Sequence, residues 1–268
     1  ASVQVPPDRP SDIMDALAAG FTDRTRLVLC SHVTTRTGII TPIKEISQMA
    51  HDKGALVAVD GAHAPGMIPL DIGVSGVDFY GGNCHKWLCS PKGVGFLYAN
   101  PAVQEKLHHL IVSWGYDRDG VKKGPKRPEI NNQPFMHGIE KWGTTDLAAQ
   151  ATVADAVHFQ EQIGIQEILL RGRELSGYLR SRIEQLDWSR VVSPSHPDMF
   201  GALTTCLFEG LGGIDLGKTL YDCDRITVPV FEQEEDKRNC LVRVSTHLYN
   251  TEIEIDRFLK AMEREKSA

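Results

Sequence analysis

The sequence predicts an α/β fold with a mostly parallel sheet, joined to a smaller C-terminal α+β unit, and three observations predict it. First, short apolar runs alternate with segments of helical spacing through residues 11–99. That is the order of strand–helix–strand units whose strands are buried on both faces. Second, polar groups follow three of those runs directly: Ser31/His32, Asp60/His63 and Asn83/His85/Lys86. Open α/β sheets gather ligands beyond the carboxyl ends of their strands, so these groups could converge on one edge. Third, from about residue 190 the pattern changes to short strands closed by one helix. We therefore divide the chain into a large unit, residues 1–187, and a small unit, residues 188–268.

Each element has its own signal. Pro6, Pro7 and Pro10 keep the first residues extended. Ser11 then caps a helix with Ile13, Met14, Leu17 and Ala18 at helical spacing and Gly20 at its end. Arg26–Val33 reads as a buried strand. Pro42 opens a helix that carries Ile43, Ile46 and Met49 to Ala50. Ala55–Val59 is a purely apolar strand with Asp60 at its carboxyl end, and Val77–Tyr80 and Gly95–Ala99 are the next two. After a short helix beyond Pro101, residues 111–140 are rich in Gly and Pro and show little periodicity. A loop that long usually serves function or a partner. Helices over about 145–162 and 165–186 follow, broken at Gly164. The small unit then reads as strands Ala202–Phe208, Arg225–Val230 and Leu241–Ser245, with a helix from Thr251 to about Glu265.

Composition excludes several classes of function. The chain has 268 residues, 41% hydrophobic and 24% charged, as a soluble globular protein has. A formal charge of −6 argues against a nucleic-acid surface. The one basic run, Lys122, Lys123, Lys126 and Arg127, is interrupted by Gly124 and Pro125 and reads as a solvated loop. No apolar run reaches the roughly 20 residues of a membrane span. The first residues lack the charged and apolar regions of a signal peptide, so a cytoplasmic location is expected. Six cysteines form no Cys-x-x-Cys pair, and nothing near Cys84 and His85 completes four zinc ligands, so no metal is expected.

The stretch that organises the chain is Gly81-Gly82-Asn83-Cys84-His85-Lys86-Trp87-Leu88. Lys86 stands between strand signals, beside an aromatic residue. Apolar surroundings disfavour an ammonium and lower its pKa, which frees the amine to condense with a carbonyl. A Schiff-base lysine with an acid elsewhere in the site is the pattern of a pyridoxal phosphate (PLP) enzyme, in which a carboxylate keeps the pyridine nitrogen protonated. Asp60 suits that task, and His63 lies three residues on. The competing reading is a lysine that packs its stem beneath a loop.

Longer motifs sharpen this. Val59-Asp60-Gly61-Ala62-His63-Ala64-Pro65-Gly66, Asn83 to Gly93, Trp142-Gly143-Thr144-Thr145-Asp146 and Arg243-Val244-Ser245 with Leu248-Tyr249-Asn250-Thr251 occur in that order. Together they resemble the class V aminotransferase-like PLP enzymes, the cysteine desulfurase and isopenicillin N epimerase group. The His-Lys-Trp-Leu segment and Val228-Pro229-Val230 look most like the epimerase branch. The resemblance implies a fold type I large domain and a smaller C-terminal domain. It implies PLP bound through Lys86, Asp60 on the pyridine nitrogen, His63 on the 3-hydroxyl oxygen, and Asn83 and His85 at the phosphate. Gly143 and Thr144 would reach the cofactor of the other subunit in a homodimer. Arg243 would clamp the carboxylate of a small amino-acid substrate, and His32 would lie near the ring. Catalysis would fall to Lys86 and His63.

Alternatives stay open at several residues. Asp60 could cap a helix, His85 could only orient Lys86, Thr144 could cap the helix near Asp146, and Arg243 could sit in a structural ion pair. Lys92 is the rival lysine, in a turn that suits a solvent-facing residue. His108, His109, His137, His158 and His196 read as structural or solvated. Residues 228–233 hold no cysteine, where the desulfurases carry their nucleophile, so epimerase or C–S lyase chemistry is expected ahead of desulfurase or aminotransferase chemistry. The N-terminal part of the family fold, with its phosphate turn and ring-stacking residue, is missing upstream of Ala1. A non-catalytic or partner-dependent fragment is the remaining alternative.

Overall fold

The computed structural model describes residues 7–108, 110–111, 143–144, 146–212, 215–233 and 236–268. The basic run Lys122–Arg127, most of the stretch 111–140, His109, His137, Trp142, Thr145 and the first prolines up to Pro6 lie outside them. The elements in order are α1 (Pro10–Gly20), β1 (Leu27–Ser31), α2 (Ile43–Asp52), β2 (Leu56–Gly61), α3 (Ile72–Ser75), β3 (Phe79–Asn83) and β4 (Gly95–Ala99). After these come α4 (Ala148–Ala151), α5 (Val153–Ile163), α6 (Ile165–Ile183), β5 (Ser189–Val191), β6 (Leu203–Phe208), α7 (Leu216–Asp224), β7 (Val230–Glu232), β8 (Cys240–Ser245) and α8 (Glu252–Ser267).

The first sheet has the order β1-β2-β3-β4. Its first two pairings are parallel, with Ser31 beside Asp60 and Asp60 beside Gly81, and β4 closes it antiparallel to β3. One face is core: Val28, Val57, Val59 and Tyr80 pack with Ile46 and Ala50 of α2. Burying a side chain such as Ile46 stabilises by about 1.5–3 kcal/mol. The expected strand Arg26–Val33 is shorter, and it is buried on one face only. Leu27, Leu29 and Leu97 lie exposed, Leu29 at 74%. Successive side chains of a strand point to opposite faces, so among the described residues one apolar face of this sheet is bare.

The second sheet, β5-β6-β8-β7, is antiparallel throughout. Its core joins Cys206, Phe208, Val242 and Val244 to Leu175, Leu179 and Ile183 of α6 and to Ile255, Phe258 and Met262 of α8. Helix α8 begins with the capping box Thr251/Glu254: the Thr251 hydroxyl accepts from the Glu254 N–H, and the Glu254 carboxylate accepts from the Thr251 N–H.

Several expected boundaries move, for local reasons. Helix α1 starts at Pro10, and its cap is not Ser11. Asp12 reaches back to accept from the N–H groups of Asp8 and Arg9. Strand β3 begins two residues late, because Asp78 is buried and bonded to the Val57 N–H at 2.7 Å and to His51 Nε2 at 2.8 Å. It then runs through Gly81 and Gly82 to Asn83. The strand expected over Arg225–Val230 reduces to its last residue, which opens β7, and β5 is an added strand.

Three consecutive carbonyls of the loop after β1 tie the two sheets together. Arg243 Nη1 donates to the Thr35 carbonyl at 2.8 Å, the Thr205 hydroxyl to that of Arg36, and the Ser193 hydroxyl to that of Thr37. This clamp brings β8, and Arg243 with it, against the polar edge of the first sheet.

Candidate active site

The carboxyl ends of β2 and β3 build the site. Asp60 is the last exposed residue of β2, on the bare face, and its Oδ1 accepts from the Ala62 N–H at 2.9 Å. That bond forms a turn rather than a helix cap, so Asp60 keeps its second oxygen available. Gly81, its neighbour on β3, faces open space where a side chain would stand. Gly61, on the other face, is fixed by packing: a Cβ there would lie 2.3 Å from the Tyr80 hydroxyl.

After β2 the chain turns through His63 and Gly66. Gly66 has φ 84, and an added Cβ would fall 2.5 Å from the backbone of Trp87 and Leu88. This close approach lays the His63 turn against the Lys86 loop. His63 Nε2 stands 3.2 Å from Lys86 Nζ, and the Trp87 indole N–H donates to His63 Nδ1 at 3.3 Å.

Electrostatics follow from the placement. His63 is 6% exposed. Its pKa is lowered to about 4, first by burial, then by the charges of Lys86 and Arg243, against the pull of Asp60. The half-buried Lys86 has its pKa lowered by burial, with Asp60 raising it and Arg243 lowering it further. An amine, a neutral imidazole, a carboxylate and a guanidinium thus share one neighbourhood. Arg243 has no carboxylate at ion-pair distance among the described residues. Its protein partner is a carbonyl, its Nε is buried without a partner, and burial lowers its pKa. The structural ion pair considered from sequence is therefore not formed among the described residues.

The other expected residues are distributed differently. His32 is buried just past β1, its Nδ1 sharing a 2.9 Å hydrogen bond with the Tyr80 hydroxyl, and burial lowers its pKa to about 4. It makes no described bond to Lys86. Asn83 ends β3 opposite Gly95, and His85 Nδ1 lies 3.2 Å from the Val94 carbonyl, so both flank Lys86 on the strand side. Gly143 and Thr144 are exposed, and just before the helix beyond them Asp146 accepts from the Ala148 N–H at 2.8 Å. Lys92 is exposed in the turn before β4. A surface cleft lined by Ile163, Ile168, Leu170, Arg171 and Leu248 contains none of these groups, and its Arg171 already pairs with Glu174 and Glu252.

Sequence reasoning quoted Trp87 but assigned it nothing, and it passed over Gln160 and His247. Both of these bond the Trp87 carbonyl. The only sequence signal was an aromatic residue next to the lysine, because the partners come from distant segments.

The donor set fits PLP. The amine suits the aldehyde, the free carboxylate oxygen the ring nitrogen, and a ring N–H of His63 the ring oxygen. The open space over Gly81 leaves room beside Asp60.

Residues 3–258 match the family Aminotransferase class-V. An isopenicillin N epimerase of Amycolatopsis lactamdurans is 37% identical over 94% of this chain and 63% of its own length. One of Streptomyces clavuligerus is 34% identical over 96% of this chain and 64% of its own. A solved structure of a cystine C–S lyase variant, with glycine covalently linked to its PLP cofactor, superposes with a TM-score of 0.75 at 24% identity, covering 95% of this chain and 63% of that one. The chain thus spans less than two thirds of the length of these relatives.

Proposed function

This chain belongs to the aminotransferase class-V family, and from that premise we propose that it is a PLP-dependent enzyme of the isopenicillin N epimerase type, moving the α-proton of a small amino acid. The observation that carries the reading is the pairing of Lys86 Nζ with the buried His63 at 3.2 Å, close enough to Asp60 and Arg243 to feel both charges. PLP, when bound, supplies an electron sink for charge developing at the substrate α-carbon. Lys86 would hold the aldehyde and carry the α-proton at Nζ, a task its lowered pKa favours. Asp60 holds a proton on the ring nitrogen, and His63 offers an N–H to the ring oxygen. Asn83 and His85 would hold the phosphate, and His32 would lie near the ring. Arg243 would receive the substrate carboxylate, for which a planar guanidinium with an unpaired Nε–H is suited.

Desulfurase chemistry is disfavoured by the thiols. Cys240 is buried in β8 with its pKa pushed up to about 11, and burial also raises that of Cys89. Neither is an activated thiolate. A cytoplasmic homodimer, with Gly143 and Thr144 serving the partner's cofactor, is part of the reading, supported by the exposure of both residues. A second reading has support of its own. The bare face carrying Leu27, Leu29 and Leu97 suits a chain that works only once another element covers it.

The test is α-hydrogen exchange. Incubated with PLP and L-amino acids in deuterium oxide, the chain should exchange the α-hydrogen of at least one of them and erode its optical activity. Lys86→Ala should abolish both, and exchange that survives the substitution would refute the assignment.

A further inference from the structure

Trp87 is buried next to the reactive lysine, and several segments hold it there. Its indole stacks on His247, with centroids 5.3 Å apart and planes 10° apart, and His247 stacks on Tyr249 at 4.3 Å. The Trp87 carbonyl accepts from Gln160 on α5 and lies 3.2 Å from His247 Nε2. That imidazole has one tautomer when neutral. The Leu248 N–H donates to its Nδ1 at 2.9 Å, which leaves the proton on Nε2, facing the carbonyl.

The same logic applies to His63. An indole nitrogen donates and never accepts, so the 3.3 Å bond makes His63 Nδ1 the acceptor. The neutral ring must then carry its proton on Nε2, 3.2 Å from Lys86 Nζ. An ammonium has three donors and no acceptor, so protonated Lys86 would set N–H against N–H. A neutral amine offers its lone pair and completes the bond. We propose that Trp87 is a positioning residue, whose indole N–H locks His63 in the Nε2–H tautomer and thereby holds Lys86 as a hydrogen-bond acceptor in its free-base form.

Burial keeps His63 neutral, which the lock requires. The charged groups that face Lys86 are Asp60 at the end of β2 and Arg243 on β8, and their effects on it are opposed. Trp87 adds what neither charge can, a direction for the hydrogen bond. The importance of the lock for catalysis rests on reading Lys86 as the reactive amine, whereas its geometry stands in the chain alone.

The test uses the cofactor-free chain with 15N-labelled histidine. The His63 ring signals, assigned by their loss in His63→Gln, should show a protonated Nε2 and a bare Nδ1 near neutral pH. A protonated Nδ1 would overturn the proposal. Trp87→Phe keeps an aromatic ring beside His247 and removes the N–H. It should mix the two tautomers and slow acylation of Lys86 by an amine-reactive anhydride at fixed pH by about tenfold, the equivalent of one pKa unit. A folded variant with tautomer and labelling rate unchanged would also overturn it. If that variant does not fold, the spectrum of the unmodified chain decides alone. Failure of PLP to anchor on Lys86 would remove the functional reading and leave the tautomer result standing.

Discussion

Strand β6 buries all six of its side chains, Leu203 through Phe208, whereas β1 leaves Leu27 and Leu29 in the open and β2 ends on an exposed Asp60. The second sheet is closed on itself by α6 and α8 and contributes to the site only through Arg243. The first sheet holds the amine, the imidazole and the carboxylate on an edge where packing is thinner. Groups that must meet a ligand sit where the fold has left them partly unpaired, and the closed sheet supplies the rigid backing. The loop clamp at Thr35, Arg36 and Thr37 joins the two roles, since it brings a buried strand's arginine to the open edge.

The contrast can be broken most strongly in the core. Phe208→Ala should lower stability by about 3–5 kcal/mol, because Phe208 is fully buried against Trp188 and Phe258. Leu29→Ala, at an exposed site, should change it by less than about 0.5 kcal/mol. Chemical denaturation of both variants measures the difference, and equal losses would mean that β1 is covered in solution. A smaller effect is expected at the junction. Arg243→Lys should raise KM for the amino acid about tenfold with kcat much less affected, because a point charge cannot replace a two-pronged donor. A change confined to kcat would remove Arg243 from substrate binding.

Stability should also depend on pH. His32 and His63 each have pKa values lowered from 6.5 to about 4 by burial. Between those values the unfolded chain binds more protons than the folded one, so stability falls as pH drops from about 6.5 towards 4 and is fully present above that window. Melting temperature against pH should show this slope, and His63→Gln should flatten it. A stability that rises on acidification through the window would contradict the burial of both rings.

Much of this was legible in the sequence, because apolar runs ending in polar residues mark strands that feed an edge. The runs around Val28, Val57 and Tyr80 gave the sheet, and Gly164 gave the helix break. Asp60, His63 and Lys86 were legible as chemistry because each sits where a strand ends. What escaped was non-local. Gly81 and Gly82 lie beyond the apolar run Val77–Tyr80, yet they are strand, and Gly82 lies under the Phe96 ring where a Cβ would clash at 2.3 Å. The bare face of the first sheet escaped because an apolar run reads as buried on both sides. The bond from Trp87 to His63 joins two motifs that the sequence lists separately, and only folding shows that one sets the proton of the other.

The most direct measurement of the central claim is borohydride reduction of the chain mixed with PLP, followed by peptide mass analysis. A reduced pyridoxyl adduct is expected on the peptide containing Lys86, and none on that peptide in Lys86→Ala. An adduct on Lys92 or spread over surface lysines, with Lys86 unmodified in folded protein, would contradict it.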